Sequence, residues 1–419
     1  MKIILVHKFW RKVGGAEVYF QDVARILRQH GHEVRIFTTE YNAKGSTDVY
    51  DRTPEVYFGI SPEYRKGSFI KKIGAIPESI YSKKNKKLFA ALLDSFRPDL
   101  VHVFALYVSL TPSILDACKE AGVPVVMSCN DYKHICPNYR LFHHGKICND
   151  CKGGSFYHAL TNNCCKHSLA VSAVSALESY VHQFMNIYKK NVNAFLFESR
   201  FMMDKTAEFW PEGGYNMEFL GKPYNALLNE ASPNYEDYLL FVGRLSDEKG
   251  VDILIQAMKQ VPEARLRIAG DGPWRSYLEA LCNQLQVNNV QFLGAVWGEA
   301  TGKLISKSRF VVIPSIWYEN FPYVMAESYS RGKAIIGSDR GGIPEYIRPG
   351  ETGLVYPALE ADKLAESIRK LWNDPENTVK MGLKGKEWAD ELFNDASFYS
   401  RLMAIYQKVS GELPEKSQI

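Results

Sequence analysis

Short runs of apolar, largely β-branched residues recur along this chain at intervals long enough to hold a helix between them. That rhythm limits the fold more than any other feature. KIILVH (2–7), EVRIFTT (33–39), DLVHVFA (99–105), PVVMSCN (124–130) and NAFLFES (193–199) occupy the first half. YLLFVG (238–243), RLRIAG (265–270), VQFLG (290–294), FVVIP (310–314) and KAIIGS (333–338) occupy the second. An uninterrupted apolar run reads as a strand buried on both faces, the environment of a parallel sheet covered by crossover helices. The intervening stretches supply those helices: Phe20, Val23, Ala24 and Leu27 share one helical face, and Val251, Leu254, Met258 and Val261 share another. Strand and helix in alternation predict an α/β fold wound by right-handed crossovers. A chain of 419 residues exceeds what one core usually supports, so two such doubly wound sheets are expected.

The restart at Tyr238 sets the boundary. Residues 1–220 form the expected N-terminal domain, 221–237 (GKPYNALLNEASPNYED, polar with two prolines) the linker, and 238–396 the C-terminal domain, with a last helix over 397–419 returning to the first. No run approaches the length of a membrane-spanning helix, and MKIILVHKFW has too short an apolar core for a signal peptide, which points to the cytosol. Net charge is +4 overall, yet Arg65, Lys66, Lys71, Lys72, Lys83, Lys84, Lys86 and Lys87 are opposed only by Glu78. Interleaved with Phe69, Ile70, Ile73, Ile76, Ile80 and Tyr81, they make residues 65–87 a basic amphipathic stretch suited to an anionic membrane, with a solvated helix face as the plainer reading. The rest of the chain carries no matching basic stripe, so nucleic acid is not the expected partner.

FVVIP is followed by SIWYENFPYVMAESYSRGK (315–333), which sets Glu319 just past a strand end and Glu327 on the second turn of a helix expected to run from Pro322 to Arg331. In open α/β sheets ligands bind outside the carboxyl ends of the strands, and a helix start there brings unpaired N–H groups. Such a place takes an anion, and carboxylates beside it take hydroxyls. Arg244 and Lys249 lie in another strand-to-helix loop, GRLSDEKG, and so at the same edge.

FVGRLSDEKGVDILIQAM, IAGDGP, PSIWYENFPYVMAE and GSDRGGIPEYIRPGETGLVYP, in that order, resemble the C-terminal domain of the GT-B glycosyltransferases of family 4, and GGAEVYFQDVARILRQHGHEV resembles their acceptor domain. The resemblance covers nearly the whole chain. It implies two facing Rossmann-like domains with a central cleft, and retaining transfer of a sugar from a UDP- or GDP-sugar to a glycan or lipid-linked acceptor, in cell-surface polysaccharide or glycolipid synthesis at the cytosolic membrane face. It implies no catalytic metal. By the same resemblance Arg244 and Lys249 grip the diphosphate, Glu319 lies near the donor sugar, and Glu327 receives the ribose hydroxyls. Many relatives have Gly-Phe-Gly where this chain has Asn320, Phe321 and Pro322. Pro322 lacks an N–H, so amide contacts to phosphate fall to Asn320, Phe321 and Tyr323. Gly243, the GDGP turn with Gly270 and Gly272, and Phe292 with Gly294 frame the nucleotide. Gly14 and Gly15 allow close backbone approach on the acceptor side. Relatives often read His-Asp-Tyr where this chain has Asn130, Asp131 and Tyr132; Asn130 can bond a sugar hydroxyl but cannot take a proton, and His134 is the substitute within reach.

Five of eight cysteines crowd between Cys136 and Cys165, an odd disulfide framework for a reducing compartment. Cys148 and Cys151 form a C-x2-C pair flanked by Cys136 and Cys164, with Cys165 competing for the fourth place, and a structural zinc is favoured over an iron–sulfur cluster, a disulfide or unliganded thiols. Other readings stay open: a sugar-phosphate synthase on the same fold, a non-catalytic sugar-nucleotide-binding module, and a dinucleotide-dependent oxidoreductase. The last needs a G-x-G-x-x-G spacing that HKFWRKVGGAEV lacks.

Overall fold

The structure, a computed structural model, describes residues 1–10, 15–39, 55–61, 74–107, 109–224 and 229–411. The chain divides into two compact units. The first comprises Met1–Arg140, Asn149–Pro223 and Ala396–Ile419; the second comprises Leu141–Cys148 and Tyr224–Asp395.

The first unit is built on β1 (Lys2–His7), β2 (Glu33–Thr39), β3 (Val56–Gly59), β4 (Leu100–Ala105), β5 (Val125–Cys129), β8 (Ala194–Phe197) and β9 (Met217–Phe219), in the order β3-β2-β1-β4-β5-β8-β9 and parallel throughout. Its central strands are buried along nearly their whole length, as their apolar runs require. Local chemistry starts the helices: the hydroxyls of Ser82, Ser168 and Ser199 accept from the N–H groups of Asn85, Val171 and Met202 at the heads of helices Lys83–Phe96, Leu169–Phe184 and Arg200–Phe209. The last helix, Asp395–Ser410, returns to this unit. Its Tyr399 hydroxyl is 2.8 Å from His32 Nε2, and its Tyr406 hydroxyl is 2.6 Å from His102 Nδ1.

The second unit carries β10 (Leu239–Val242), β11 (Leu266–Ala269), β12 (Val290–Gly294), β13 (Phe310–Ile313), β14 (Ala334–Ser338) and β15 (Gly353–Tyr356), in the order β12-β11-β10-β13-β14-β15, again parallel. Successive residues alternate between two cores. Leu239, Phe241, Phe310, Val312 and Ile336 join one, while Leu240, Val311, Ile313 and Ile335 join the other, so both faces of the sheet are covered. The short hairpin of β6 (Phe142–His143) and β7 (Lys146–Ile147) belongs here because Phe142 is fully buried in the first of these cores, with Ile147 against it.

Two sheets of parallel strands bear out the expected fold class. β3, β9 and β15 escape the sequence reading; each is an edge strand, and β3 and β9 are only partly buried. The helix after Glu319 is shorter than expected, Tyr323–Tyr329, with Pro322 as its extended cap. Among the described residues no helix is long and apolar enough to cross a membrane.

Candidate active site

In the second unit the strand order reverses between β10 and β13. At such a switch point neighbouring loops leave in opposite directions and open a crevice at the carboxyl edge. The loops that follow these two strands carry Arg244, Lys249 and Glu319. Lys249 ends a one-turn helix, Asp247–Lys249, and its Nζ lies 2.5 Å from Glu319 Oε1 and 5.6 Å from the centre of the Trp317 ring. The Ser315 hydroxyl donates to the same carboxylate oxygen at 2.8 Å. The Ile316 N–H donates to the Glu248 carbonyl at 2.9 Å, which ties the two loops backbone to backbone.

The loop after β14 locks this pair from the other side. The Gly342 N–H donates to the Glu319 carbonyl at 2.7 Å. Gly341 has φ +62°, and a β-carbon there would stand 2.1 Å from that carbonyl oxygen. Gly250, at φ +64°, is pressed likewise against the Pro314 carbonyl. Glycine alone meets both demands. Ser315, Trp317 and Gly341 were not singled out from sequence. The signal of Trp317 and Gly341 is tertiary, since each acts on a loop that only the sheet order brings near; Ser315 acts within its own loop.

Arg244 is exposed and makes no hydrogen bond or ion pair with any described residue, so its guanidinium is available to an anion. Glu327 is half-buried. Its carboxylate accepts no hydrogen bond from a described residue, and burial pushes it above the usual carboxylate range, with Arg331 opposing the shift. A carboxylate in that position gains from hydroxyl donors. Phe321 contributes differently from Asn320 and Tyr323: its ring is buried against Tyr346 and Phe393, so the side chain belongs to the core and only its backbone can serve a ligand. Asn320 is buried and Tyr323 half-buried beside it. Gly243, Gly270 and Gly294 meet through their backbones. The Gly270 N–H donates to Gly294 at 2.7 Å, and a β-carbon at Gly270 would stand 1.8 Å from the Gly243 carbonyl. Gly272 crowds the Leu245 carbonyl in the same way, and Phe292 is half-buried against the core. These glycines bring three strand ends together, a structural task that sits beside any contact with a nucleotide.

In the first unit Asn130 follows β5, and its Nδ2 donates to Glu198 Oε1 at 2.5 Å, just past the end of β8. Glu198 Oε2 lies 3.0 Å from Lys222 Nζ, with both side chains almost wholly buried. Burial raises the Glu198 carboxyl, and Lys222 and Asn130 oppose the shift. Neither Glu198 nor Lys222 carried a sequence signal. Asp131 is a capping residue: it accepts from the Lys133 N–H at 3.0 Å and from the Tyr107 hydroxyl at 2.5 Å. His134 is buried, lies 2.8 Å from the Thr206 hydroxyl, and has its imidazole lowered to about 3 by burial. Gly15 opens helix Gly15–Gln29, and Gly14 lies outside the described residues. Cys136, Cys151 and Cys164 are buried in this unit with Cys165, whereas Cys148 is half-exposed at the end of the hairpin that belongs to the second unit. A cavity of about 150 Å³ in the first unit, lined by Lys133, Gln183, Lys189, Trp210 and Tyr215, takes in Cys151 and His134 from the predicted residues.

Both sheets and their order match solved GT-B structures. Sucrose-phosphate synthase from Thermosynechococcus elongatus superposes with a TM-score of 0.73 at 19% identity, over 98% of this chain and 100% of that one. Anabaena HepE in complex with UDP gives 0.66 at 18% identity, over 97% and 100%. The class is therefore the GT-B fold. In sequence, the family described as Glycosyl transferases group 1 matches residues 229–388, and Glycosyltransferase Family 4 matches residues 13–209. An uncharacterized 42.6 kDa protein of the cps region of Klebsiella pneumoniae is 27% identical over 83% of this chain and 88% of its own length. The sulfoquinovosyl transferase of Arabidopsis thaliana is 22% identical over 90% and 67%. An uncharacterized glycosyltransferase of Methanocaldococcus jannaschii is 42% identical over 144 residues, only 36% of its length. The chain belongs to the family-4 glycosyltransferases.

Proposed function

We propose that this enzyme transfers a sugar from a UDP-sugar, with GDP-sugars as the second choice, to a glycan or lipid-linked acceptor with retention of anomeric configuration. The observation that carries the reading is the edge of the second unit, where exposed Arg244 and the Lys249–Glu319 pair lie on loops at adjacent strand ends and the open carboxylate of Glu327 lies on the helix Tyr323–Tyr329 that follows. As the glycosidic bond breaks, negative charge grows on the leaving diphosphate, and fixed cations placed there stabilise it. Lys249 is held by a carboxylate until a phosphate competes for it. Glu327 suits the ribose hydroxyls. Solved GT-B neighbours bind UDP and UDP-glucose, which favours uridine donors. Asn130 cannot take a proton, so the leaving phosphate itself deprotonates the acceptor hydroxyl on the face where the bond forms. Melting temperatures measured with UDP, GDP and their sugars test the donor, and the anomeric configuration of the isolated product tests retention. A shift with no nucleotide sugar overturns neither fold nor family but ends this reading of the site.

The enzyme works on the cytosolic face of an anionic membrane, and two features of the first unit support that placement. Lys83, Lys84 and Lys87 are exposed at the head of helix Lys83–Phe96, while Lys86 pairs with Glu120 at 2.6 Å; residues 65–73 lie outside the described residues. Helix Leu169–Phe184 turns its ionisable Glu178 and His182 inward and shows water Leu177 and a 93% exposed Phe184. His182 Nε2 lies 2.8 Å from the Ile80 carbonyl, which fixes this helix beside the turn leading to the lysines. Flotation with vesicles of phosphatidylglycerol and phosphatidylcholine should fail for Lys83→Gln/Lys84→Gln/Lys87→Gln and for Phe184→Glu, with each surface cation worth about 1 kcal/mol. Unchanged flotation of all these variants refutes the membrane reading.

A further inference from the structure

Residues 136–168 hold their shape with little regular structure. In the first unit's share of this segment, one 3-10 turn (Lys152–Gly154) and one single-turn helix (His158–Thr161) are the described elements. Of the eleven non-glycine residues with positive φ among the described residues, six lie here: Tyr139, Leu141, His144, Asn163, Lys166 and His167. Each left-handed residue costs on the order of 1 kcal/mol and persists only where the surroundings over-determine it. Four of the buried side chains in this segment are cysteines, beside Asn138, Leu141, Phe142, Phe156 and Ala159. Cys136, Cys151, Cys164 and Cys165 are between 4% and 7% exposed, and none of the eight cysteines is in a disulfide.

Two of these thiols are already spaced as ligands. Cys164 Sγ and Cys165 Sγ lie 3.9 Å apart. Two sulfurs bound tetrahedrally to one zinc at about 2.3 Å stand roughly 3.8 Å apart. Among the described residues no three of the four thiols lie within 4.8 Å of one another, so a tetrahedral site requires Cys136 and Cys151 to move toward the pair. Cys148 is directed elsewhere. Its N–H closes the hairpin onto the Leu141 carbonyl, and its thiol lies within 4.8 Å of a ring nitrogen of His143.

We infer that Cys136, Cys151, Cys164 and Cys165 form a closed, structural zinc site in the first unit. The four thiols release their protons to solvent on binding and leave a centre of net charge −2, beside Lys133, whose Nζ is 2.7 Å from Glu178. The ion fastens the segment that follows Asn130 to the head of helix Leu169–Phe184, where the Cys165 N–H donates to Ser172 at 3.1 Å. Metal affinity supplies the folding energy that so little apolar burial cannot. The inference is independent of the donor reading.

The full-length protein, purified without chelator, is analysed by elemental mass spectrometry. About one zinc per chain is expected, lost in Cys164→Ser/Cys165→Ser and kept in Cys148→Ser. Should the double variant fail to fold, the unmodified chain produced in cobalt-supplemented, zinc-depleted medium settles the point, because tetrahedral cobalt tetrathiolate has intense visible bands and strong thiolate charge transfer. Any of these results overturns the site: no metal with all cysteines titrating in the native protein, iron with sulfide, a Cys164–Cys165 disulfide, zinc lost in Cys148→Ser, or a cobalt spectrum showing nitrogen ligands.

Discussion

Lys249 Nζ and Glu319 Oε1 lie 2.5 Å apart, although 70 residues separate them in the chain. The pair joins the loops after β10 and β13, the two strands between which the sheet order reverses. It makes one cation of the proposed donor site dependent on a carboxylate, while Arg244 at the same edge depends on nothing. The two should therefore respond differently to removal. Arg244→Ala is expected to leave the melting temperature unchanged and to lower turnover about a hundredfold or more. Lys249→Ala should lower turnover similarly and also destabilise by about 1–3 kcal/mol, because Glu319 is left buried with fewer donors. Thermal unfolding and UDP release measured side by side distinguish these outcomes, and normal turnover in folded Arg244→Ala removes that residue from the site.

Gly341 has no room for a side chain. Gly341→Ala places a methyl group 2.1 Å from the Glu319 carbonyl at a φ of +62°, so it should cost about 2 kcal/mol or more and abolish most activity by displacing the Glu319 loop. Gly350 is the control, with φ +81° and nothing within 4 Å of an added β-carbon. Gly350→Ala should cost about 1 kcal/mol and leave kcat alone. Equal effects of the two substitutions on kcat would contradict the placement.

The buried Glu198–Lys222 pair makes a third prediction. Lys222→Met strands a carboxylate that is only 3% exposed, at an expected cost of about 3–5 kcal/mol. Adding Glu198→Gln removes the charge while keeping an acceptor for Asn130, and most of the lost stability should return. Denaturant unfolding of both singles and the double gives the coupling energy, and simple additivity would show that the ion pair is not what holds this edge.

Acid stability follows from three histidines. Burial lowers the imidazoles of His7, His102 and His134 to about 3, against 6.5 in an unfolded chain. Between those values the unfolded state binds more protons than the folded one, so stability is complete above pH 6.5 and falls as pH drops toward 3. At pH 5 the loss is about 2 kcal/mol for each. His102→Gln should flatten the melting-temperature profile between pH 6.5 and 4.5, although it starts lower for want of the bonds to Tyr406 and Ser128. A profile as steep as that of the unaltered chain would mean His102 does not titrate with unfolding.

The sequence by itself determined the two wound sheets, the strand-end loops that carry Arg244, Lys249 and Glu319, and the helix that carries Glu327. A strand covered on both faces must be apolar along its length, and that demand is written in consecutive residues. Edge strands β3 and β9 bury less and left a fainter trace. What only the tertiary structure decided are the pairings between distant residues: Lys249 with Glu319, Glu198 with Lys222 behind Asn130, the glycine at 341 that the Glu319 backbone requires, and Phe142 in the second unit's core. It also set Cys165 against Cys164 and led Cys148 away, where spacing alone had favoured the C-x2-C pair. Such relationships depend on sheet order and loop direction. An ion pair or a close backbone approach leaves no periodic mark in either of the segments that make it.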